Sequence, residues 1–121
     1  MAEINIENPF HVNTKIDVNT FVNQIRGIPN GSRCDFTNSV VKHFSSLGYN
    51  VFVCHPNHAV TGPYAKLHCE FRNTKFSTIG YDVYIIARGR KVTATNFGDG
   101  GYDNWASGGH YNQAGKTINF L

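Results

Sequence analysis

At 121 residues, 40% hydrophobic and only 16% charged, the chain is sized for a single domain, 1–121, with a modest core, and its composition excludes disorder. The formal charge of +3 is thinly scattered, which excludes the dense basic footprint of a nucleic-acid binder, and no apolar run reaches membrane-spanning length. The start, Met1-Ala2-Glu3-Ile4-Asn5, has neither the basic nor the apolar region of a classical leader, so a cytoplasmic location is the expectation.

Glu3-Ile4-Asn5-Ile6-Glu7 alternates polar with apolar residues, which predicts a short edge strand stopped by Pro9. Val18, Phe21, Val22 and Ile25 share one stripe of a helix opened by Asp17 and stopped by Gly27 and Pro29. After a turn over 28–33, Asp35 or Thr37 is expected to cap a second helix. Its stripe is Phe36, Val40, Phe44 and Leu47, with His43 at the border and Gly48 as the C′ residue. The run 49–54 is apolar on both faces and predicts a covered central strand. His55-Pro56-Asn57-His58 turns the chain into an irregular loop that reaches Gly62-Pro63. A strand over 64–72 places Leu67, Cys69 and Phe71 on one face and His68, Glu70 and Arg72 on the other. Strands over 81–88 and 92–95 are expected to pair as a hairpin through Arg88-Gly89-Arg90. That turn, with Lys91, is the one local basic cluster and reads as a hairpin tip kept soluble.

Gly98-Asp99-Gly100-Gly101 cannot be helical, because glycine loses too much backbone entropy there. It predicts a tight turn before a strand over 102–106, a second turn over 107–109, and a final strand over 116–120 entered through Gln113-Ala114-Gly115. The sum is an α+β fold: two N-terminal helices packed on one face of an antiparallel β-meander of five to six strands. The other face would be wet or covered by a partner.

Chemistry is sparse. Cys54, His55, His58, His68 and Cys69 are metal-ligand types, but neighbours on a strand point to opposite faces and no CxxC or HExxH spacing is present, so no metal and no cofactor are expected. Six histidines allow acid–base pairings without specificity, and there is no GxSxG elbow. A small nuclease would have to work through His55, His58 or His68; the expectation is that the protein is not an enzyme. Asp99, Asp103 and Asn104 lack calcium-loop spacing.

Binding is the better use of the C-terminal residues. Tyr102, Trp105 and Tyr111 are flat and amphipathic, and Asp99, Asp103, Asn104 and Asn112 supply planar hydrogen-bonding groups. The set suits a self-interface or a shallow sugar site, against the plainer reading that the lone Trp fills the core. Weak surface charge favours contact between copies. Three cysteines make an odd count: Cys54 and Cys69 read as strand residues, and Cys34, in a polar turn, as the candidate for an intermolecular disulfide. The first expectation is thus a non-enzymatic, self-associating structural protein forming an ordered, disulfide-linked assembly with itself. The alternative is a lectin-like carbohydrate-binding module. Nucleic acid and membrane insertion are not expected.

Gly98-Asp99-Gly100-Gly101-Tyr102-Asp103-Asn104-Trp105-Ala106, followed by Gly115-Lys116-Thr117-Ile118-Asn119-Phe120, resembles the C-terminal signature of a group of small bacterial and fungal proteins. The octin-type proteins of fungal vacuolar crystals are similar in this segment. The resemblance spans the C-terminal part of the chain alone. It implies a non-enzymatic, lattice-forming protein, cysteines able to cross-link it, and a vacuolar location.

Overall fold

Two antiparallel sheets organise the computed structural model, which describes residues 3–12, 21, 24–25, 33–55, 57–72, 78–98 and 105–121. In chain order the elements are β1 (Glu3–Val12), α1 (Arg33–Ser46), β2 (Tyr49–Cys54), β3 (His58–Thr61), β4 (Tyr64–Arg72), β5 (Thr78–Ala87), β6 (Val92–Asn96), β7 (Trp105–Gly108), β8 (Tyr111–Ala114) and β9 (Thr117–Phe120). The first sheet runs β1-β4-β5-β2-β7 and the second β3-β6-β9-β8.

The expected fold of two helices on a single meander is therefore wrong. Among the described residues there are nine strands in two sheets and one helix of continuous extent. The reason lies in the central strands. β2 sends Val51 and Val53 to one side and Phe52 and Cys54 to the other, and all four are buried. β5 likewise sends Val83 and Ile85 one way and Tyr84 and Ile86 the other. A sheet that is apolar on both faces has to be covered twice.

On one face the cover is helical: Val40 and Phe44 of α1, with Phe21 and Ile25, join Val51, Val53, Leu67, Tyr81 and Ile85 in one cluster. Phe21 packs edge-on against Phe44 at 5.1 Å. Phe21, Gln24 and Ile25 are helical; the expected cap at Asp17 and stop at Gly27 and Pro29 lie outside the described residues. On the other face the cover is the second sheet, through Val92, Ala94, Ile118 and Phe120. The face expected to be wet, or closed by a partner, is closed by the chain itself.

The turn at Arg88-Gly89-Arg90 accounts for the error. It joins no hairpin: β5 pairs with β4 and β2, whereas β6 pairs with β3 and β9. Gly89, at φ +87°, reverses the chain from one sheet to the other. Other boundaries shift as well. β1 continues past Pro9, which sits in a register shift between Glu7 and Phe10 on the outer strand, where a residue without an N–H is tolerated. The expected loop after His58 contains β3; Ser107 and Gly108, expected in a turn, belong to β7; and Gln113 and Ala114, expected in the last turn, belong to β8. α1 starts at Arg33, so Cys34 lies in its first turn, and Thr37 is buried in the helix instead of capping it. Gly48 is the C′ residue at φ +98°, with Gly48 N–H donating to Ser45 O at 3.1 Å. Leu47, expected in the apolar stripe, is exposed beyond the helix end.

Candidate functional site

The sandwich has two long margins, and they differ in chemistry. At one, β7 ends the first sheet and β8 ends the second. Strand alternation fixes what faces inward here. Trp105 and Ser107 are register partners of Cys54 and Phe52, and Tyr111 and Gln113 are register partners of Phe120 and Ile118. These inward positions meet in a cleft of about 250 Å³ lined by Asn38, Trp105, Ala106, Ser107, Tyr111 and Gln113.

Asn38 reaches the cleft because α1 lies very close to β7. A Cβ at Gly108 would collide with Val41, and Asn38 sits one turn earlier on the same helix face. Both rings are braced from behind: Trp105 packs edge-on against Phe52 at 6.3 Å and Tyr111 against Phe120 at 5.8 Å. Ser107 Oγ is buried without a hydrogen-bond partner among the described residues. No residue lining the cleft is charged.

At the opposite margin β3 ends the second sheet, and its His58 reaches Tyr84 and Asp82 of β5. His58 Nδ1–H donates to His55 O at 2.8 Å, since a carbonyl only accepts; in the neutral ring, which burial favours, Nε2 then accepts from Tyr84 O–H at 2.8 Å. Beside it, Asp82 Oδ2 lies 3.4 Å from His58 Nε2 and 3.6 Å from Lys66 Nζ. His68 donates from Nδ1 to Asp82 Oδ1 at 2.7 Å and from Nε2 to Glu70 Oε1 at 2.5 Å. A carboxyl oxygen faces each of its two nitrogens, an arrangement that favours the imidazolium form. Lys66 also stands 5.3 Å over the Tyr84 ring.

The electrostatics follow from this packing. Burial pulls the His68 pKa down, but its hydrogen bonds to Asp82 and Glu70, with their charges, outweigh that and hold it above the ordinary value. Burial holds His58 below the ordinary value, despite its bond to His55 and the charge of Asp82. Burial and the Asp82 charge push the Tyr84 phenol up. Both ring nitrogens of both histidines are engaged, and Lys66 and His68 balance Asp82 and Glu70. His55, whose carbonyl holds His58, has its buried Nε2 without a hydrogen-bond partner among the described residues.

The sequence-derived site residues divide accordingly. Trp105 and Tyr111 come together in the cleft; Asp99, Tyr102, Asp103 and Asn104 lie outside the described residues. Trp105 is half-buried at a rim, so it is not the core plug of the plainer reading. Asn38, Ser107 and Gln113 were missed, since nothing in a helix or a four-residue strand marks an amide as facing a cleft. Cys54 and Cys69 are free and buried on opposite faces of the first sheet. Burial, then the charge of Asp82, pushes the Cys54 thiol up to about 12, and burial raises Cys69 likewise, so neither is poised for exchange. The side chain of Cys34 lies outside the described residues. Among those described, no three His, Cys, Asp or Glu side chains converge as a metal requires. Comparison with protein-family models, with curated proteins and with solved structures finds no match.

Proposed function

We propose that the protein is a non-enzymatic carbohydrate-binding module whose ligand lies in the cleft between β7 and β8. The observation that carries this reading is the lining of that cleft: two braced aromatic rings and two primary amides, with no charged side chain. Aromatic faces stack on the C–H faces of a sugar ring, and amides supply a donor and an acceptor each for its hydroxyls. Absence of charge at the lining favours a neutral saccharide over an acidic one. Asp99, Tyr102, Asp103 and Asn104, which lead directly into Trp105, are proposed to extend the same site.

A glycan array followed by calorimetry tests this. The expected result is binding of neutral oligosaccharides, weakened up to about tenfold by Trp105→Ala or Tyr111→Ala, in keeping with about 0.5–1.5 kcal/mol per stacked ring. A blank array with correctly folded protein would sink the reading.

A second reading, self-association, is favoured by one further feature. β7 and β8 are both outer strands, side by side, each with one edge unpaired among the described residues. A second copy adding a strand there would form the assembly expected from the sequence.

A further inference from the structure

One end of the molecule gathers cations together with exposed leucines. It is built from the last turns of α1, the turn between β5 and β6, the turn between β7 and β8, and the end of β9. Hydrogen bonds tie these parts together: Arg88 Nη2 donates to Ser45 O, Gly89 N–H to Leu121 O and Leu121 N–H to His110 O, each at 3.0 Å. Lys42, Arg88, Arg90 and Lys91 are exposed. Leu47 is 52% and Leu121 50% exposed, two of the three large hydrophobics left open among the described residues. Glu70 and Asp82, the two acidic residues whose side chains are described, are committed to the cluster with His68. They do not offset the charge at this end.

We propose that this end is a peripheral docking surface for a membrane carrying anionic lipid headgroups. Basic side chains at such a surface are drawn to the headgroup potential, and apolar side chains beside them bury into the acyl boundary. Arg88 adds rigidity, since its bond to Ser45 O caps the negative end of α1. The leucines favour lipid over nucleic acid, because a phosphate backbone gives an aliphatic side chain nothing to bury against. None of the basic or leucine side chains of this surface lines the aromatic cleft, so variants at one leave the lining of the other unchanged.

Co-sedimentation with vesicles is the test. The full chain is mixed with vesicles of phosphatidylcholine alone and with vesicles that also contain phosphatidylserine. Binding is expected only to the second, and is expected to fall as salt rises. Arg90→Gln with Lys91→Gln, two exposed turn positions, is expected to weaken it about thirtyfold. Leu47→Gln is expected to weaken it without altering the salt dependence. The proposal is overturned if phosphatidylserine vesicles sediment no protein, or if the double variant binds as the wild type does. Displacement from the vesicles by homopolymer RNA at equal phosphate concentration also overturns it and assigns the surface to nucleic acid.

Discussion

Asp82 carries three partners on one carboxylate: His68 at 2.7 Å, His58 at 3.4 Å and Lys66 at 3.6 Å. The two histidines respond to pH in opposite senses. His68 is held above its ordinary 6.5, so the stability it contributes is fully present below about 6.5 and lost as pH rises through its raised value. His58 is held below 6.5, so its contribution is present above 6.5 and lost as pH falls toward its lowered value. Melting temperature is therefore expected to peak near neutrality and decline on both sides. Asp82→Asn removes the leading cause of the His68 rise, so the alkaline decline should become smaller and be complete at lower pH, with a loss of about 2 kcal/mol where the wild type is most stable. Calorimetric scans of both proteins across pH check this; an unchanged alkaline limb in the variant would remove His68 from the account. The core makes a simpler case at the same scale. Leu67 is fully buried beneath the helical layer, and Leu67→Ala is expected to cost about 2–5 kcal/mol in urea unfolding.

Between elements, two glycines of nearly equal conformation separate backbone strain from close approach. Gly48, at φ +98°, ends α1 with open space around it, whereas Gly109, at φ +99°, turns β7 into β8 against Asn50. A Cβ at Gly109 would strike the Asn50 amide oxygen and lie 2.9 Å from Asn50 Cα, atoms with no room to give. Asn50 is itself buried, and it accepts from His110 N–H at 2.7 Å and donates to Leu121 O at 3.1 Å. Gly48→Ala is expected to cost about 1 kcal/mol, the strain of a left-handed alanine alone. Gly109→Ala is expected to cost at least twice that, because it also displaces the amide that ties β2 to the turn and to β9. Chemical denaturation midpoints of the pair decide it; equal losses would mean that Asn50 yields without cost.

The same scale explains what the sequence makes legible. β2 and β4 follow from alternation over six and nine residues, enough to establish the period and, for β2, burial on both sides. β3 and β8, at four residues each, are too short to establish any period. The turn at Gly89 has hairpin chemistry whichever sheet the next strand joins, so the crossover that makes a sandwich is invisible locally. The candidate site was half legible for the same reason. Trp105 and Tyr111 announce themselves by type, whereas Asn38 is brought to them only by the approach of α1 to Gly108. His68 and Glu70 share a face by alternation, but Asp82 joins them through the β4–β5 register.

For the whole molecule, the aromatic cleft and the strand edges left unpaired among the described residues occupy one margin, and that makes the two functional readings mutually testable. Cys54 and Cys69 lie inside opposite clusters, so neither can bridge to another copy while the fold is intact. A mass that falls on reduction would consequently rest on Cys34, and Cys34→Ser should abolish the effect. Assembly that persists in reductant would rest on β7 and β8, where an added strand would run across the mouth of the cleft between Trp105 and Tyr111. A bound oligosaccharide would then obstruct the incoming copy. Light scattering over a concentration series, in reductant, is expected to show larger species that a binding saccharide dissociates and that Trp105→Ala renders insensitive to the sugar. If saccharide binds and the mass does not respond, the association surface lies elsewhere and the cleft serves the ligand alone.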